Sequence, residues 1–210
     1  MRHFCKMAMG SLLIFILGST PALSDNSSAK GTVEGFQASL LDVMKRAKKL
    51  GVIGRFEELA PIIKNRFHLP LMIATASAPY WKAGSHEQRS KLLAAFHRMS
   101  ASTLATLFDG YSEEYFRTER ERKTSGRMVI VDTQIIRNKN DTVNISYVAV
   151  DLKDRWWIID VIVSGGISEV KARRSEYSAF LKQGGLNRLA AALEATANRL
   201  LSGKEKYKAR

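Results

Sequence analysis

The chain has 210 residues, of which 45% are hydrophobic, and a formal net charge of +13. This length suits one domain with a sizeable core, and the single cysteine, Cys5, excludes an internal disulfide and a thiolate metal cluster. The positive charge favours an anionic partner, namely nucleic acid, phospholipid headgroups or an acidic protein face; the alternative is a solvated basic surface without a partner.

Residues 1–24 have the features of a cleavable secretory signal peptide. A short positive start precedes an apolar stretch, Met7 to Gly18, and small residues follow at Ala22 and Ser24. This pattern predicts cleavage before Asp25. A membrane anchor is the weaker interpretation, because twelve helical residues rise only about 18 Å, short of a roughly 30 Å hydrocarbon core. We therefore expect a periplasmic protein, for which nucleic acid is the least expected anionic partner.

After a polar segment, residues 25–31, for which we expect disorder, the first half of the mature chain is predicted to be helical. Apolar residues recur there at steps of three and four, the spacing of one helical face. This periodicity predicts three helices: 32–50, 56–67 and 70–78. A capping box at Ser85 predicts a long fourth helix as far as about Phe108.

The second half of the chain has the alternation that is typical of strands. Four antiparallel strands are predicted: 114–121, 128–137, 142–152 and 155–164. Ser168 is placed to cap a helix to about Lys182, and a last helix follows Gly184-Gly185. Helices on both sides of a contiguous antiparallel sheet predict an α+β fold in a single domain, 32–203, with a basic tail, 204–210.

The last two predicted strands carry most of the sheet's apolar side chains. Strict alternation places four residues on one face of the third strand: Val143, Ile145, Tyr147 and Ala149. In the fourth strand it groups Trp156 with Ile158 and Ile162, and it groups Trp157 with Ile159 and Val161. The pattern leaves open which face looks into the protein.

Few residues suggest chemistry. The mature chain has three histidines, His68, His86 and His97, and their spacing does not match a metal site. Asp160 interrupts an apolar strand, so it is a candidate acid or base. The alternative is a structural Asp160 that pairs with an arginine such as Arg173 or caps a nearby backbone.

The order of short motifs resembles a known family from about Phe56 to Leu201. The motifs are Trp81, Ser85–Arg89, Phe96, Tyr111–Phe116, Tyr147, Trp156–Val161, Gly166–Val170, Arg174–Tyr177 and Gly184-Gly185-Leu186. The chain resembles the periplasmic MlaC-like, or toluene-tolerance, lipid-shuttle proteins. Ile167-Ser168-Glu169 is similar to the branch associated with hopanoid biosynthesis, called HpnM. The family usually has Gly-Glu where this chain has Glu113-Glu114.

The resemblance implies a nuclear-transport-factor-like fold, in which about six helices wrap a curved antiparallel sheet of about four strands. It also implies a cavity that holds the tails of a phospholipid or hopanoid, with the headgroup at the mouth. The implied partners are an inner-membrane transporter complex and an outer-membrane acceptor, with transient contact to the membrane surface. It implies no cofactor, no metal and no catalytic residue.

Two sets of side chains are candidates for contacts with lipid or partner. The candidates for the lipid tails are Trp81, Leu92, Phe96, Met99, Leu104, Val143, Ile145, Tyr147, Ala149, Trp156 and Ile158. The candidates for a headgroup or a partner are Lys45, Arg46, Lys48, Lys49, Arg173 and Arg174. Two other functions stay open: an enzyme for an apolar substrate with Asp160 as its base, and a basic adaptor without a ligand.

Overall fold

The structure is a computed structural model that describes residues 27–124, 126–138, 141–163 and 166–203. The predicted signal peptide and basic tail lie outside the described residues, as do residues 25 and 26 of the polar segment 25–31. The expected disorder of that segment is wrong from Ser28 onwards, because the Ser28 hydroxyl caps α1 by accepting a hydrogen bond from Gly31 N, and the helix begins at Ala29. Among the described residues, no helix combines the length and the apolar character needed to cross a membrane.

Six helices are described, of which five precede the sheet and one follows it. They are α1 Ala29–Lys45, α2 Ala47–Arg66, α3 Leu69–Ala76, α4 Tyr80–Ala83, α5 His86–Leu107 and α6 Glu169–Leu201. The strands are β1 Tyr115–Lys123, β2 Met128–Asn138, β3 Asp141–Asp151, β4 Trp156–Val163 and β5 Ile167–Ser168. The predicted α+β fold is confirmed.

The strands form one antiparallel sheet in the order β1-β2-β3-β4-β5. The four predicted strands are present, and the two-residue β5 is too short for a periodicity argument to detect. Helix α1 lies against one face of the sheet, where it contacts β1, β2, β3 and β4. Helix α5 packs on α2 and α6. We call the face that carries α1 the inner face.

The first predicted helix, 32–50, does not run unbroken. Helix α1 ends at Lys45 because Arg46 leaves helical geometry, with φ −102° and ψ 6°. The buried Arg55 lies close to this junction, where its Nη1 donates to the carbonyl oxygen of Ala47 at 2.8 Å. The expected stop at Gly51 is a second break, with φ 61°. At that angle a side chain is strained, whereas glycine is not.

The capping box that predicts α5 is formed as expected. The Ser85 hydroxyl accepts a hydrogen bond from Gln88 N, and the Gln88 side chain accepts one from Ser85 N. The two predicted C-terminal helices are both present within α6, separated by non-helical geometry at Gly184 and Gly185.

The predicted facing of β4 is wrong beyond Ile158. Ala149 pairs with Ile158 and Tyr147 pairs with Val161, so a β-bulge inserts one extra residue between the two pairs. A bulge reverses the side-chain alternation that follows it. Val161 therefore shares the inner face with Ile158, whereas Ile162 points to the outer face with its partner Ser146.

Candidate functional site

An apolar cluster lies between the inner face of the sheet and the helices. Phe96 and Met99 on α5 and Tyr147, Ala149 and Ile158 in the sheet are each less than 5% exposed. Ten of the eleven lipid-tail candidates lie in or against this cluster: Trp81, Leu92, Phe96, Met99, Leu104, Ile145, Tyr147, Ala149, Trp156 and Ile158. The structure therefore brings together residues from α4, α5, β3 and β4.

Val143 is the candidate that falls outside this group. It lies near the start of β3, where it is half-buried and pairs with Ile135. Strict alternation along β3 therefore does not ensure equal burial.

Helix α1 supplies a part of the cluster that the sequence analysis missed. Its Val33, Phe36 and Leu40 are at most 3% exposed. The Phe36 ring meets Phe67 edge-on, with centroids 4.9 Å apart, and its centroid lies 6.1 Å from that of Tyr147. The amphipathic pattern of α1 predicts a helix, but it does not say which surface the apolar stripe covers.

A polar network crosses this apolar interior. The buried Gln37 donates its amide Nε2 to the Thr133 hydroxyl at 3.0 Å, and that hydroxyl donates to the Ile145 carbonyl oxygen at 2.9 Å. Burial raises the pKa of Tyr147 to about 12, and a hydrogen bond with Gln37 opposes part of that rise. Tyr147 is therefore a neutral phenol at any physiological pH. Gln37 and Thr133 thus fix α1 to the sheet by directional bonds.

The outer face of the sheet has a different character. A cleft of about 490 Å³ opens there, and its lining residues are mainly charged or polar: Glu119, Arg120, Arg122, Asp132, Thr133, Asn144 and Ser146. Asp132 accepts hydrogen bonds from the Arg122 Nε at 2.7 Å, the Arg120 Nε at 2.9 Å and the Ser146 hydroxyl at 2.7 Å. Such a lining does not suit an acyl chain.

The Asp160 carboxylate accepts hydrogen bonds at the start of α6. Its Oδ1 accepts hydrogen bonds from Val161 N at 2.9 Å and Val170 N at 3.1 Å, and its Oδ2 accepts one from the Ser168 hydroxyl. Asp160 pairs with Val148, which alternates with the inward-facing Tyr147 and Ala149. The structural interpretation of Asp160 as a cap is therefore the one that the hydrogen bonds support.

The three histidines occupy separate places. His68 caps α3 by accepting a hydrogen bond from Leu71 N, and the ring of His97 lies 2.7 Å from the carbonyl oxygen of Ala60. His86 is exposed at the start of α5. Within the described ranges, no group of three or more His, Cys, Asp or Glu side chains is placed to hold a metal ion.

Two of the basic candidates at the α1–α2 junction already have partners within the chain. Arg46 forms ion pairs with Glu58 and Asp42, and these carboxylates raise the pKa of Arg46 above its ordinary value. The Lys45 ammonium lies over the Tyr111 ring, 5.5 Å from its centroid.

Arg173 on α6 has its own pairs. It lies 3.7 Å from Glu169 and 3.3 Å from Glu176, and only 16% of its side chain is exposed. The charges of Arg46 and Arg173 are therefore partly neutralised by acidic residues of the same chain. The other basic candidates of this set are exposed: Lys48, Lys49 and Arg174.

The fold is that of a known class of α+β protein. The chain is similar to a solved structure of the phospholipid-binding protein from Ralstonia solanacearum in complex with a phospholipid, with a TM-score of 0.73 and 17% identity. The match covers 82% of this chain and 98% of that one. At this identity the likeness shows the fold.

The family follows from the sequence. A model of the MlaC protein family matches residues 35–195, and the chain belongs to this family. No curated protein matches the sequence.

Proposed function

We propose that the protein is a periplasmic carrier that binds lipid tails in its apolar interior and passes phospholipid or hopanoid between the inner and outer membranes. The observation that carries this proposal is the convergence of the lipid-tail candidates on one buried cluster between the sheet and α5. Membership of the MlaC family and the fold shared with a phospholipid-bound protein support lipid binding.

The physical need for such an interior follows from the hydrophobic effect. Each buried CH₂ gains about 0.8 kcal/mol, so a 16-carbon tail gains roughly 12 kcal/mol on leaving water. A carrier has to offer comparable burial and still release its cargo. We propose that the tail lies beside Phe96, Met99, Tyr147 and Ile158, where it exchanges its contacts with water for contacts with apolar side chains.

The same residues favour a binding or transport protein over an enzyme. The one candidate base, Asp160, already accepts three hydrogen bonds at the start of α6. Tyr147, a titratable side chain of the cluster, has a pKa of about 12. A phenol with so high a pKa is a weak general acid and is not ionised for use as a base at neutral pH.

The proposal also names the compartment in which the protein works, the lipid that it carries and its partners. The signal peptide expected in residues 1–24 supports periplasmic localisation, as does membership of the MlaC family. The resemblance of Ile167-Ser168-Glu169 to the HpnM branch motivates hopanoid as a cargo. An inner-membrane transporter complex and an outer-membrane acceptor are the proposed partners.

A photo-crosslinking experiment tests where the tails lie. The purified mature protein is loaded with a phospholipid that carries a diazirine near the end of one acyl chain, irradiated, and digested for peptide mass spectrometry. We expect adducts on the α5 peptide that contains Phe96 and on the sheet peptide that contains Tyr147. Adducts confined to the outer-face cleft, at Arg120 and Arg122, would contradict the proposed site.

A further inference from the structure

One end of the sheet gathers segments that are distant in sequence. The β1–β2 and β3–β4 turns meet there, because Asp151 N donates to the Arg127 carbonyl oxygen at 3.1 Å. The start of α1 joins them, with Lys30 N donating to the Glu121 carboxylate at 3.1 Å. We call this region the turn end of the sheet.

The end of α2 completes the turn end. Arg155, which follows the β3–β4 turn, donates its Nη2 to the carbonyl oxygen of Asn65. The backbone between α2 and α3 then runs along the edge of β4, where His68 N donates to the Ile158 carbonyl oxygen at 2.9 Å. Four separate parts of the chain are therefore held at one end of the sheet.

Basic residues outnumber acidic ones at the turn end. Six basic residues belong to the turn end: Lys30, Lys64, Lys123, Arg127, Lys153 and Arg155. Four acidic residues accompany them: Glu34, whose carboxylate lies 3.9 Å from the Lys30 ammonium, and Glu121, Asp151 and Asp154. The turn end therefore has a net positive charge, which suits an anionic partner.

The turn end also carries an aromatic and apolar group. The Arg155 guanidinium stacks 4.0 Å from the centroid of the half-buried Trp157, and His68 meets the same indole edge-on at 5.6 Å. Leu71, in the first turn of α3, is 39% exposed. Indole rings with nearby cations suit the boundary between lipid headgroups and acyl chains.

We propose that the turn end is a docking surface for membranes that contain anionic phospholipid. The proposal rests on the carrier function and deepens it by naming the surface that approaches the lipid source. The lysine side chains of the turn end are long and exposed, so they match a fluid anionic surface better than an acidic protein pocket, which would require fixed partners for each charge. The basic residues attract the headgroups, and Trp157 and Leu71 enter the interface.

Binding to vesicles tests this surface. The test variant neutralises three exposed residues of the two turns, Lys123→Gln, Arg127→Gln and Lys153→Gln. The control variant removes the same charge from the α1–α2 junction: Lys45→Gln, Lys48→Gln and Lys49→Gln. Dissociation constants are measured at about 50 mM and about 300 mM salt. The vesicles contain phosphatidylcholine alone or with about one third phosphatidylglycerol.

We expect the wild-type protein to bind the vesicles with phosphatidylglycerol, more weakly at the higher salt. Each charge near an anionic surface contributes about a fivefold change in affinity, so the test variant should lose on the order of a hundredfold. The control variant should lose about fivefold or less. The single Lys153→Gln variant, in an exposed hairpin turn, should lose about fivefold in affinity. It replaces the triple variant in the test if the triple variant does not fold.

Three results would overturn the proposal. Equal losses in the test and control variants would mean that net charge alone governs binding. An unchanged affinity in the test variant would remove the turn end from the contact. A wild-type protein that binds neither vesicle would point to an acidic protein partner instead. Native mass spectrometry of the same samples reads their lipid content, so failure of the carrier function is observed separately.

Discussion

Asp132 is held on the outer face of the sheet by three side chains. The Arg122 guanidinium has the largest effect and, with hydrogen bonds from Ser146 and Arg120, keeps the pKa of Asp132 well below its ordinary value, although burial acts in the opposite direction. Because the pKa is lower in the folded than in the unfolded state, the ionised carboxylate stabilises the fold above about pH 4.

We expect Asp132→Asn to lower the free energy of unfolding at pH 7 by about 1 kcal/mol, since both arginine partners are largely exposed. This loss should diminish as the pH falls below about 4, because the carboxylate then becomes protonated in the unfolded chain while it stays ionised in the folded protein. Urea unfolding of both proteins between pH 7 and pH 3 measures the effect. Asp141→Asn, which removes an ion pair with the exposed Arg137, is the control and should change little. A constant Asp132→Asn effect across this range would refute the explanation.

Glu113 adopts a backbone conformation that favours glycine. Its φ is 68°, and this conformation destabilises an L-residue by about 1–2 kcal/mol. This is the position at which the MlaC-like pattern usually has glycine. Glu113→Gly should raise the free energy of unfolding by about 0.5–1 kcal/mol, after the greater freedom of glycine in the unfolded chain is subtracted.

Thermal unfolding of Glu113→Gly beside Glu114→Gly checks this expectation. Glu114 accepts a hydrogen bond from Ser112 N, so its replacement should lower the melting temperature. A fall in melting temperature for Glu113→Gly as well would show that its conformation carries no strain that glycine relieves.

At the scale of elements, the start of α6 depends on a side chain from β4. Asp160→Ala removes the acceptor for Val170 N and for the Ser168 hydroxyl. We expect the free energy of unfolding to fall by about 1–2 kcal/mol, as for the loss of a helix cap. Asp160→Asn should lose less, because its side-chain oxygen can still accept a hydrogen bond.

Chemical denaturation measures both Asp160 variants, and the lipid content of the folded proteins is read in parallel. Lipid binding should be unchanged, since Asp160 does not face the apolar cluster. A folded Asp160→Ala protein that loses its lipid would show that this carboxylate has a role in function.

The sequence allowed the elements to be predicted well where local signals are strong. The capping box at Ser85 and the paired glycines at Gly184 and Gly185 have local physical causes, and both features are present. The bulge after Ile158 has no such signal, because every residue around it is apolar and fits either face. Its position depends on the pairing with β3, which is a tertiary property.

The candidate site was predictable only in part for the same reason. Periodicity identified the apolar stripe of α5, and the resemblance related it to β3 and β4. The place of α1 over the sheet could not be deduced, because an amphipathic pattern does not name the surface that it covers. Gln37 was missed because a single glutamine in a helix gives no indication that it will be buried against Thr133.

At the scale of the whole molecule, the packing of the cluster makes Ala149 a sensitive position. Ala149 is fully buried, so Ala149→Trp should reduce the lipid that co-purifies and lower the free energy of unfolding by about 1–3 kcal/mol. Thr142→Trp, on the exposed outer side of the same strand, is the matched control and should change neither. Lipid extraction and urea unfolding give the two readouts; full lipid occupancy in folded Ala149→Trp would show that this part of β3 does not line the lipid site.

Native mass spectrometry of the purified mature protein, followed by extraction and identification of its lipids, tests the central claim most directly. The account predicts a mass excess equal to a bound phospholipid or hopanoid, which is lost on extraction and restored when the stripped protein is mixed with vesicles. A folded protein that has no lipid after purification and takes none from vesicles would contradict the account.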